Sequence, residues 1–262
     1  MPESYVPRII YLLQNSGFSF LQGALYTLVL ALISTFIGCV IGFLIGILQT
    51  IPIRKKDPAV KRGLLRVMRA VLTAYVEIFR GTPMIVQAMF IYYGLAILLS
   101  KPLDVWPAAI LIVSINTGAY MAETVRGGII SIPDGQVEGA KSIGMSHWQT
   151  MRFIILPQAL RNILPQIGNN LIINIKDTSV LFVIGVTELF SRGKSVAGAY
   201  YVYFETFTII MVMYFIMTFT CSRLLRVWEK KIGGPQSYEL ATKDQLTLTS
   251  GMYTNPKMVE DN

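Results

Sequence analysis

The sequence predicts an all-α integral membrane protein with five transmembrane helices. Of its 262 residues, 53% are hydrophobic and 15% are charged, whereas a soluble domain usually carries about 25% charged residues. The apolar residues are gathered into segments of the length, about 20 residues, that a helix needs to cross a hydrocarbon core. The net charge of +8 is concentrated in loops beside these segments. This placement is typical of membrane topology and argues against nucleic-acid binding.

The predicted spans follow the apolar segments, at approximately residues 24–48, 71–99, 106–125, 164–186 and 201–225. All five belong to one membrane domain of residues 21–232. Residues 1–20 lack the basic start of a removable signal peptide, and we expect them to form an extracellular N-terminal segment. Residues 233–262 are polar and lack periodicity, so we expect a disordered cytoplasmic tail.

The basic residues predict the orientation of the chain. The loop after the first span contains one acid, Asp57, and seven basic residues: Arg54, Lys55, Lys56, Lys61, Arg62, Arg66 and Arg69. By the positive-inside rule this loop is cytoplasmic and the N-terminus is outside. An anionic-lipid patch is a compatible second role for the loop. Basic residues also follow the last span and place the C-terminus in the cytoplasm: Arg223, Arg226, Lys230 and Lys231.

Two patterns inside the spans concern helix packing. Small residues occupy every fourth position of one part of the first span: Ser34, Gly38, Gly42 and Gly46. We interpret this small-residue stripe as a face on which another helix packs closely, rather than as a pore lining. The second span is interrupted by Arg80-Gly81-Thr82-Pro83, and the backbone groups freed there need partners on neighbouring helices. Arg80 itself either pairs structurally near the cytoplasmic end or lines the path.

Polar residues inside the third span are candidates for the translocation path. Asn116 lies near its middle, and Glu123 and Arg126 lie near its inner end. Residues three apart share a helix face, so we expect these two side chains to pair. The pair is either a structural ion pair or part of a gate.

The fourth span contains Lys176, Asp177 and Thr178, where a charge costs at least about 2.5 kcal/mol. Neighbouring helical side chains point about 100° apart, so Lys176 and Asp177 do not simply neutralise each other. Each needs a partner on another helix, on a second subunit or on the cargo. Either the segment borders the translocation route, with Asp177 facing an ammonium group, or it forms an internal polar network that holds the helices in register.

The sequence offers little for catalysis or metal binding. Cys39 and Cys221 lie in apolar segments and are expected to be buried thiols, and His147 is the single histidine. We therefore expect no metal, no cofactor and no enzymatic activity in this chain. Gly193-Lys194-Ser195 resembles the end of a phosphate-binding loop, but Glu188 stands where that loop requires a glycine. We place these residues in an outside loop and expect ATP hydrolysis to reside on another chain.

The segment of residues 131–157, called the docking segment below, is polar and lies between the third and fourth spans. Asp134 is a candidate N-cap of a first short helix, and Gly144 can take the left-handed conformation that ends it. Ser146 and Gln149 have the spacing of a capping box that opens a second helix. We expect that helix to end before Pro157, because the residue before a proline disfavours helical geometry.

The docking segment also carries a motif. Gly139 and Ala140 predict a bare patch on the first short helix, open to close approach by another surface. The pattern Glu138-Gly139-Ala140, then Gly144, then Ile154-x-Leu156-Pro157 resembles the cytoplasmic EAA loop of ABC importer permeases. Gly139 stands where that family usually has alanine.

The resemblance covers about residues 18–232 and is closest to the polar amino acid branch of the family. Further matching stretches are Phe79-Arg80-Gly81-Thr82-Pro83, Gly118-Ala119-Tyr120, Glu123, Arg126-Gly127-Gly128 and Lys176-Asp177-Thr178-Ser179. The resemblance implies a type I ABC importer permease in a prokaryotic cell membrane. Two such subunits, identical or related, would form the pathway. Two ATP-binding subunits would hold their EAA loops, and an extracellular binding protein would deliver a polar amino acid.

By this resemblance, Glu138 contacts the ATP-binding subunit or braces the loop. Gly139 and Ala140 provide clearance, Gly144 provides the turn, and Pro157 provides the exit. Ile154 and Leu156 are further residues of the motif that couples to the ATP-binding subunit. The alternative is a stand-alone ion-coupled secondary transporter or channel that uses Lys176, Asp177 and Glu123 as an ion relay. A structural membrane scaffold is a third possibility, disfavoured by the charges inside the spans. The sequence does not fix the substrate among glutamine, glutamate, arginine, histidine, cystine and opines.

Overall fold

The computed structural model describes residues 2, 4–53, 55 and 58–232, and all regular structure in this part of the chain is helical. The elements are α1 (Tyr5–Thr50), α2 (Ala59–Gly81), α3 (Met84–Leu98), α4 (Val105–Ile130), α5 (Asp134–Ser142), α6 (His147–Thr150), a π-helical turn (Met151–Ile155), α7 (Leu156–Asp177), a 3₁₀ segment (Thr178–Ile184), α8 (Leu189–Tyr200) and α9 (Tyr203–Ile232). The prediction of an all-α fold is confirmed. The predicted tail, 233–262, lies outside the described residues.

Three helices, α1, α4 and α9, are each long and apolar enough to cross a membrane alone. Two further candidates are bent pairs: α2 with α3, which turn by 117°, and 147–184 with 189–200, which turn by 56°. The predicted number of five spans is obtained when each bent pair counts as one crossing. The fourth crossing then covers 147–200 rather than the predicted 164–186. The predicted span 71–99 is therefore not one helix. Thr82 is extended before Pro83, with φ −123° and ψ 148°, and the helix cannot continue through it.

Helix α1 is much longer than the predicted first span. Its 46 residues measure about 69 Å at 1.5 Å per residue, more than twice the thickness of a hydrocarbon core. Residues 5–20, predicted as a separate N-terminal segment, form its first part. They pack against α9, where Leu12 and Phe20 are buried and Arg8 forms a 3.0 Å ion pair with Glu205.

The small-residue stripe is the contact face between α1 and α4, which confirms its interpretation as a packing face. A Cβ atom added at Gly38, Gly42 or Gly46 would lie 2.6, 2.3 or 2.7 Å from the Cβ atoms of Thr117, Met121 and Val125, respectively. Both series rise by four residues, so α1 and α4 run parallel. The intervening α2 and α3 must therefore return the chain to the side of the membrane on which α1 begins.

Helix α7 runs antiparallel to α4. Asn174 bonds to Thr117 near one end of the contact, and Gly128 lies against Ile163 near the other. A buried cluster joins the end of α4 to the start of α7, and its members include Val125, Ile129, Ile155, Ala159 and Ile163. The two helices that flank the docking segment are thus in direct contact along their length.

The motif Gly193-Lys194-Ser195 lies inside α8, so its predicted placement in a loop is wrong. Gly193 faces α9 so closely that an added Cβ would overlap Ile210. Helix α8 begins at Leu189 because Glu188 caps its first turn. The prediction of a loop considered only the membrane topology and not this local capping signal.

Candidate functional site

The docking segment begins where α4 ends. Helix α5 follows Pro133, and Asp134 is its first residue rather than its N-cap. The prediction of an Asp134 cap is wrong because Pro133 already has the extended conformation of a cap, φ −56° and ψ 136°, and moves the helix start one residue along. Asp134 still contributes a negative charge to the first turn, where the helix dipole favours it.

A left-handed glycine ends α5, as predicted. Gly144 has φ +80°, its N–H donates to the Lys141 carbonyl at 3.0 Å, and Met145 N–H donates to the Ala140 carbonyl at 3.0 Å. These two bonds form a Schellman motif, which satisfies carbonyls that the helix end would leave without partners. Gly144 thereby fixes the direction in which the chain leaves α5.

The predicted capping box opens the next helix. Ser146 Oγ accepts from Gln149 N–H at 3.3 Å, and Gln149 Oε1 accepts from Ser146 N–H at 2.8 Å. The expected stop before Pro157 is wrong, since α6 continues through a π-helical turn into α7. Leu156 N–H donates to Met151 O, five residues back. Pro157 then falls in the first turn of α7, where a missing N–H is tolerated.

One side of the docking segment is attached to the transmembrane helices. Ala140, Met151 and Ile155 are buried, the latter two in the cluster shared with α4 and α7. Ala140 therefore faces inward and does not belong to the predicted bare patch. Only Gly139 remains open, with no atom within 4 Å of an added Cβ. Close-packed cores transmit displacement rather than absorb it, so the segment is a stiff attachment to both helices.

The opposite side of the docking segment is exposed. Glu138, Gly139 and Gly144 lie on it, Pro157 is also exposed, and Ile154 and Leu156 are half-buried. Three large apolar side chains are exposed in the same segment: Ile143, Trp148 and Phe153. An aromatic and aliphatic surface beside an acid, carried on a stiff support, has the composition of a protein-binding surface.

Inside the bundle, Gln87 completes the break between α2 and α3. Its Nε2 donates to the Phe79 carbonyl at 2.9 Å and to the Thr82 carbonyl at 2.8 Å. Asn116 Nδ2 donates to Gln87 Oε1 at 2.8 Å and lies 3.3 Å from the Phe79 carbonyl. The freed carbonyls are thus satisfied mainly by Gln87 of α3, the second half of the same predicted span, and the neighbouring α4 contributes Asn116. The Asn116 side-chain amide thus donates within this network.

A second buried network joins α1, α4 and α7. Asn174 Nδ2 donates to Thr35 Oγ1 at 2.7 Å and to Thr117 Oγ1 at 2.9 Å. In lipid such interhelical bonds replace water as partners for polar side chains. Asn174 of the predicted fourth span thus belongs to an internal polar network.

The candidate pathway residues of α4 form the expected ion pair. Arg126 Nη2 and Nε lie 2.6 and 3.1 Å from the two carboxylate oxygens of Glu123. The pair is half-exposed, and the Arg80 guanidinium lies nearby, 5.7 Å above the Tyr120 ring. Arg80 of α2 and the ion pair of α4 thus bring three charged side chains close together.

The candidate residues near the end of α7 divide between the surface and the interior. Lys176 is exposed, Asp177 is half-buried, and Thr178 is fully buried with its hydroxyl on the Ile175 carbonyl at 3.0 Å. Within the described residues neither Lys176 nor Asp177 forms an ion pair. The pairing of Thr117 with Asn174 places Asp177 about 13 Å from Glu123 along the bundle axis. The two charged groups are separate.

Sequence reasoning missed Glu188, which is fully buried. Its carboxylate accepts from Tyr214 Oη at 2.6 Å, from Thr27 Oγ1 at 3.2 Å and from the N–H groups of Phe190 and Ser191 at 3.0 and 2.8 Å. It therefore joins α1, α8 and α9. The sequence offered one signal for this role. An acidic residue directly before a helix can accept from the N–H groups two and three residues later, as Glu188 does from Phe190 and Ser191.

Comparison with protein families matches residues 59–233 to the family described as "Binding-protein-dependent transport system inner membrane component". The chain is 37% identical to the glutamine transport system permease protein GlnP of Escherichia coli (strain K12), over 81% of this chain and 92% of that protein. It is 31% identical to the arginine transport system permease protein ArtQ of Bacillus subtilis (strain 168), over 81% and 91% of the two chains.

Solved structures give the same result. A chain of the crystal structure titled an amino acid ABC transporter with histidines superposes with a TM-score of 0.75 at 32% identity, over 88% of this chain and all of that one. A chain of the inward-facing methionine ABC transporter MetNI superposes with a TM-score of 0.62 at 21% identity, which shows a shared fold. With a docking segment fixed between two membrane helices and these matches along most of its length, the chain belongs to the binding-protein-dependent transport system inner membrane component family, the permeases of ABC importers.

Proposed function

We propose that the docking segment receives an ATP-binding subunit and transmits its movement to α4 and α7. The chain is a permease subunit of an ABC amino acid importer. The observation that supports the proposal is the two-sided construction of this segment. Its inner side is packed into the cluster of Met151 and Ile155, and its outer side presents Glu138 among exposed Ile143 and Trp148.

The mechanism follows from this stiffness. When ATP draws two ATP-binding subunits together, α5 moves with them, and α4 and α7 tilt as one unit because their inner ends share a buried cluster. Substrate that binds one orientation of the bundle better than the other is thereby moved across the membrane. Hydrolysis takes place on the separate subunit, and this chain supplies the pathway and the docking surface.

Partners and orientation complete the proposal. The docking segment, the loop before α2 and the end of α9 lie in the cytoplasm, because basic residues concentrate in the latter two and α4 runs parallel to α1. The N-terminus then faces outside, where an extracellular binding protein delivers cargo. A second permease subunit, identical or related, supplies the other half of the pathway. ATP-dependent uptake, absent under an ion gradient alone, distinguishes this function from ion-coupled transport.

The turn at Gly144 provides a direct test of coupling. Replacing Gly144 with valine forces a β-branched residue to φ +80°, at a cost of about 2 kcal/mol, and changes the angle between α5 and α6. We expect the chain to remain in the membrane but to lose most substrate-stimulated ATP hydrolysis when reconstituted with its ATP-binding subunit. Gly135→Ala is the matched control, since Gly135 lies within α5 with nothing within 4 Å of an added Cβ. Full stimulation of the Gly144 variant would contradict the proposal.

Asp177 tests the proposed route. The proposed cargo is a polar amino acid, the class to which the glutamine and arginine systems of the relatives belong. We expect Asp177 to bind the ammonium group or the cationic side chain of the transported amino acid. Asp177→Asn should then lower the uptake of arginine at least about tenfold, because a hydrogen bond to a charged group contributes about 1.5–3 kcal/mol. Uptake of glutamine and arginine into vesicles holding the whole complex measures the change in preference.

The control for Asp177 is Asp104→Asn, which neutralises an exposed acid at the N-cap of α4 and leaves a residue that caps equally well. The Asp177→Asn variant could instead keep its preference between glutamine and arginine and unfold at a lower temperature. This result would favour the alternative that Asp177 belongs to an internal polar network. In that case Asp177 no longer belongs to the route.

A further inference from the structure

The first half of α2 is a basic amphipathic helix whose apolar side has no partner within the described residues. Four aliphatic side chains spaced four, three and four residues apart form one stripe and are between 62% and 83% exposed: Val60, Leu64, Val67 and Val71. Residues with this spacing lie on one side of a helix. The same half contains no acid and four basic residues: Lys61, Arg62, Arg66 and Arg69.

The position of this half-helix is set by contacts at the end of α1. The Arg69 guanidinium donates to the carbonyl of Ile51, the residue that follows α1. Residues 59–69 therefore lie at or beyond the level where the chain leaves the first span. The turn of 117° at Thr82-Pro83 also takes α2 out of line with α3. The exposed stripe thus lies at the edge of the bundle, at the boundary between hydrocarbon and water.

We propose that the first half of α2, residues 59–69, is a lipid-binding helix that crosses the cytoplasmic headgroup layer at a slant and holds anionic phospholipid. This inference rests on the orientation proposed above. The second half of α2 reaches the middle of α4, where the Tyr75 hydroxyl donates to the Ile115 carbonyl at 2.6 Å. The stripe of Val60, Leu64, Val67 and Val71 enters the acyl boundary, as an interfacial helix does. Arg66, exposed on the opposite side of the helix, meets lipid phosphate. A half-helix that carries basic residues and no acid in its own sequence is complementary to an anionic leaflet.

The lipid-binding helix also has a mechanical consequence for the permease. Arg69 ties it to the end of α1, and Phe79 at the far end of α2 is held by Gln87 and Asn116. The lipid-bound half of α2 is thus connected through one helix to both α1 and α4.

Site-directed spin labelling tests the placement. A single nitroxide at position 64 or at position 66, on opposite sides of α2, is introduced after Cys39 and Cys221 are replaced with serine. The whole complex is reconstituted in vesicles of phosphatidylcholine and phosphatidylglycerol. We expect the label at position 64 to collide with oxygen and the label at position 66 to collide with a water-soluble nickel chelate. A label at position 64 that is shielded from both reagents would show a protein partner there, and one that collides with nickel would show water. Either result overturns the proposal.

The amount of lipid that stays bound to the extracted complex tests whether the basic residues of α2 bind anionic phospholipid. Native mass spectrometry of the extracted complex counts phosphatidylglycerol bound per permease. We expect Arg66→Gln to weaken retention about fivefold, the effect of one basic residue near an anionic surface. Lys101→Gln, at the other end of the bundle, is the matched control and should retain the lipid. Equal retention by the two variants overturns the inference while leaving ATP coupling intact. Reduction of the label at position 66 by external ascorbate in right-side-out vesicles would instead overturn the orientation, and with it the proposed function.

Discussion

Replacing Gly42 with alanine is expected to force α1 away from α4. The new Cβ would lie 2.3 Å from Met121 Cβ and 2.8 Å from the backbone nitrogen of Ala122. Backbone cannot move aside as a flexible side chain can, so the two helices must separate. Overpacking of this kind costs about 1–3 kcal/mol. The midpoint of thermal unfolding in detergent should fall, and the larger Gly42→Leu should yield little folded protein.

Gly17→Ala is the control for this substitution. Gly17 lies in the same helix α1, and nothing lies within 4 Å of an added Cβ. Because alanine favours a helix by about 1 kcal/mol over glycine, Gly17→Ala should leave the midpoint unchanged or raise it. A Gly42 variant as stable as Gly17→Ala would show that α1 and α4 are not in contact along the small-residue stripe.

Replacing Glu188 with alanine is expected to loosen the contact of the start of α8 with α1 and α9. The substitution leaves the Tyr214 hydroxyl and the N–H groups of Phe190 and Ser191 without their acceptor, in a site that is fully buried. The lost cap costs about 1 kcal/mol and each unsatisfied buried donor about 1–3 kcal/mol. We expect a total destabilisation of about 3 kcal/mol or more, seen as a lower unfolding temperature and a lower yield of monodisperse protein.

Asp104→Ala separates the effect of burial from the loss of a cap. Asp104 caps α4 by accepting from Trp106 N–H at 3.2 Å, but it is exposed. Its loss should cost only the capping energy, about 1 kcal/mol. Equal destabilisation by the two substitutions would mean that the bonds from Thr27 and Tyr214 contribute nothing.

Local and periodic features could be predicted from the sequence. The small-residue stripe repeats every fourth residue and meets a matching series on α4, so its role follows from spacing alone. Gly144 and the capping box of Ser146 with Gln149 act within a few residues of chain and lie where predicted. The start of α5 at Asp134 differed by one residue, because Pro133 takes the capping conformation itself.

Features that depend on distant residues could not be predicted. Glu188 is buried by Thr27 and Tyr214, which lie 161 and 26 residues away in the sequence. Ala140 faces inward because α5 packs on the chain that follows it, so its neighbours in sequence do not reveal its side. The helix passes Pro157 because a π-helical turn precedes it, and that turn has no sequence signature here.

The contact of α1 with α4 limits how the bundle can deform. Gly38, Gly42 and Gly46 of α1 each receive one residue of α4, at intervals of four positions. If one helix slid along the other, the α4 side chains would meet the larger residues between the glycines. The next register in which side chains and glycines match is about 6 Å away. Small axial shifts between the two helices are therefore blocked. Any conformational change that moves cargo must therefore turn α1 and α4 together as one rigid body. Sliding between helices has to occur where these two helices contact their other neighbours.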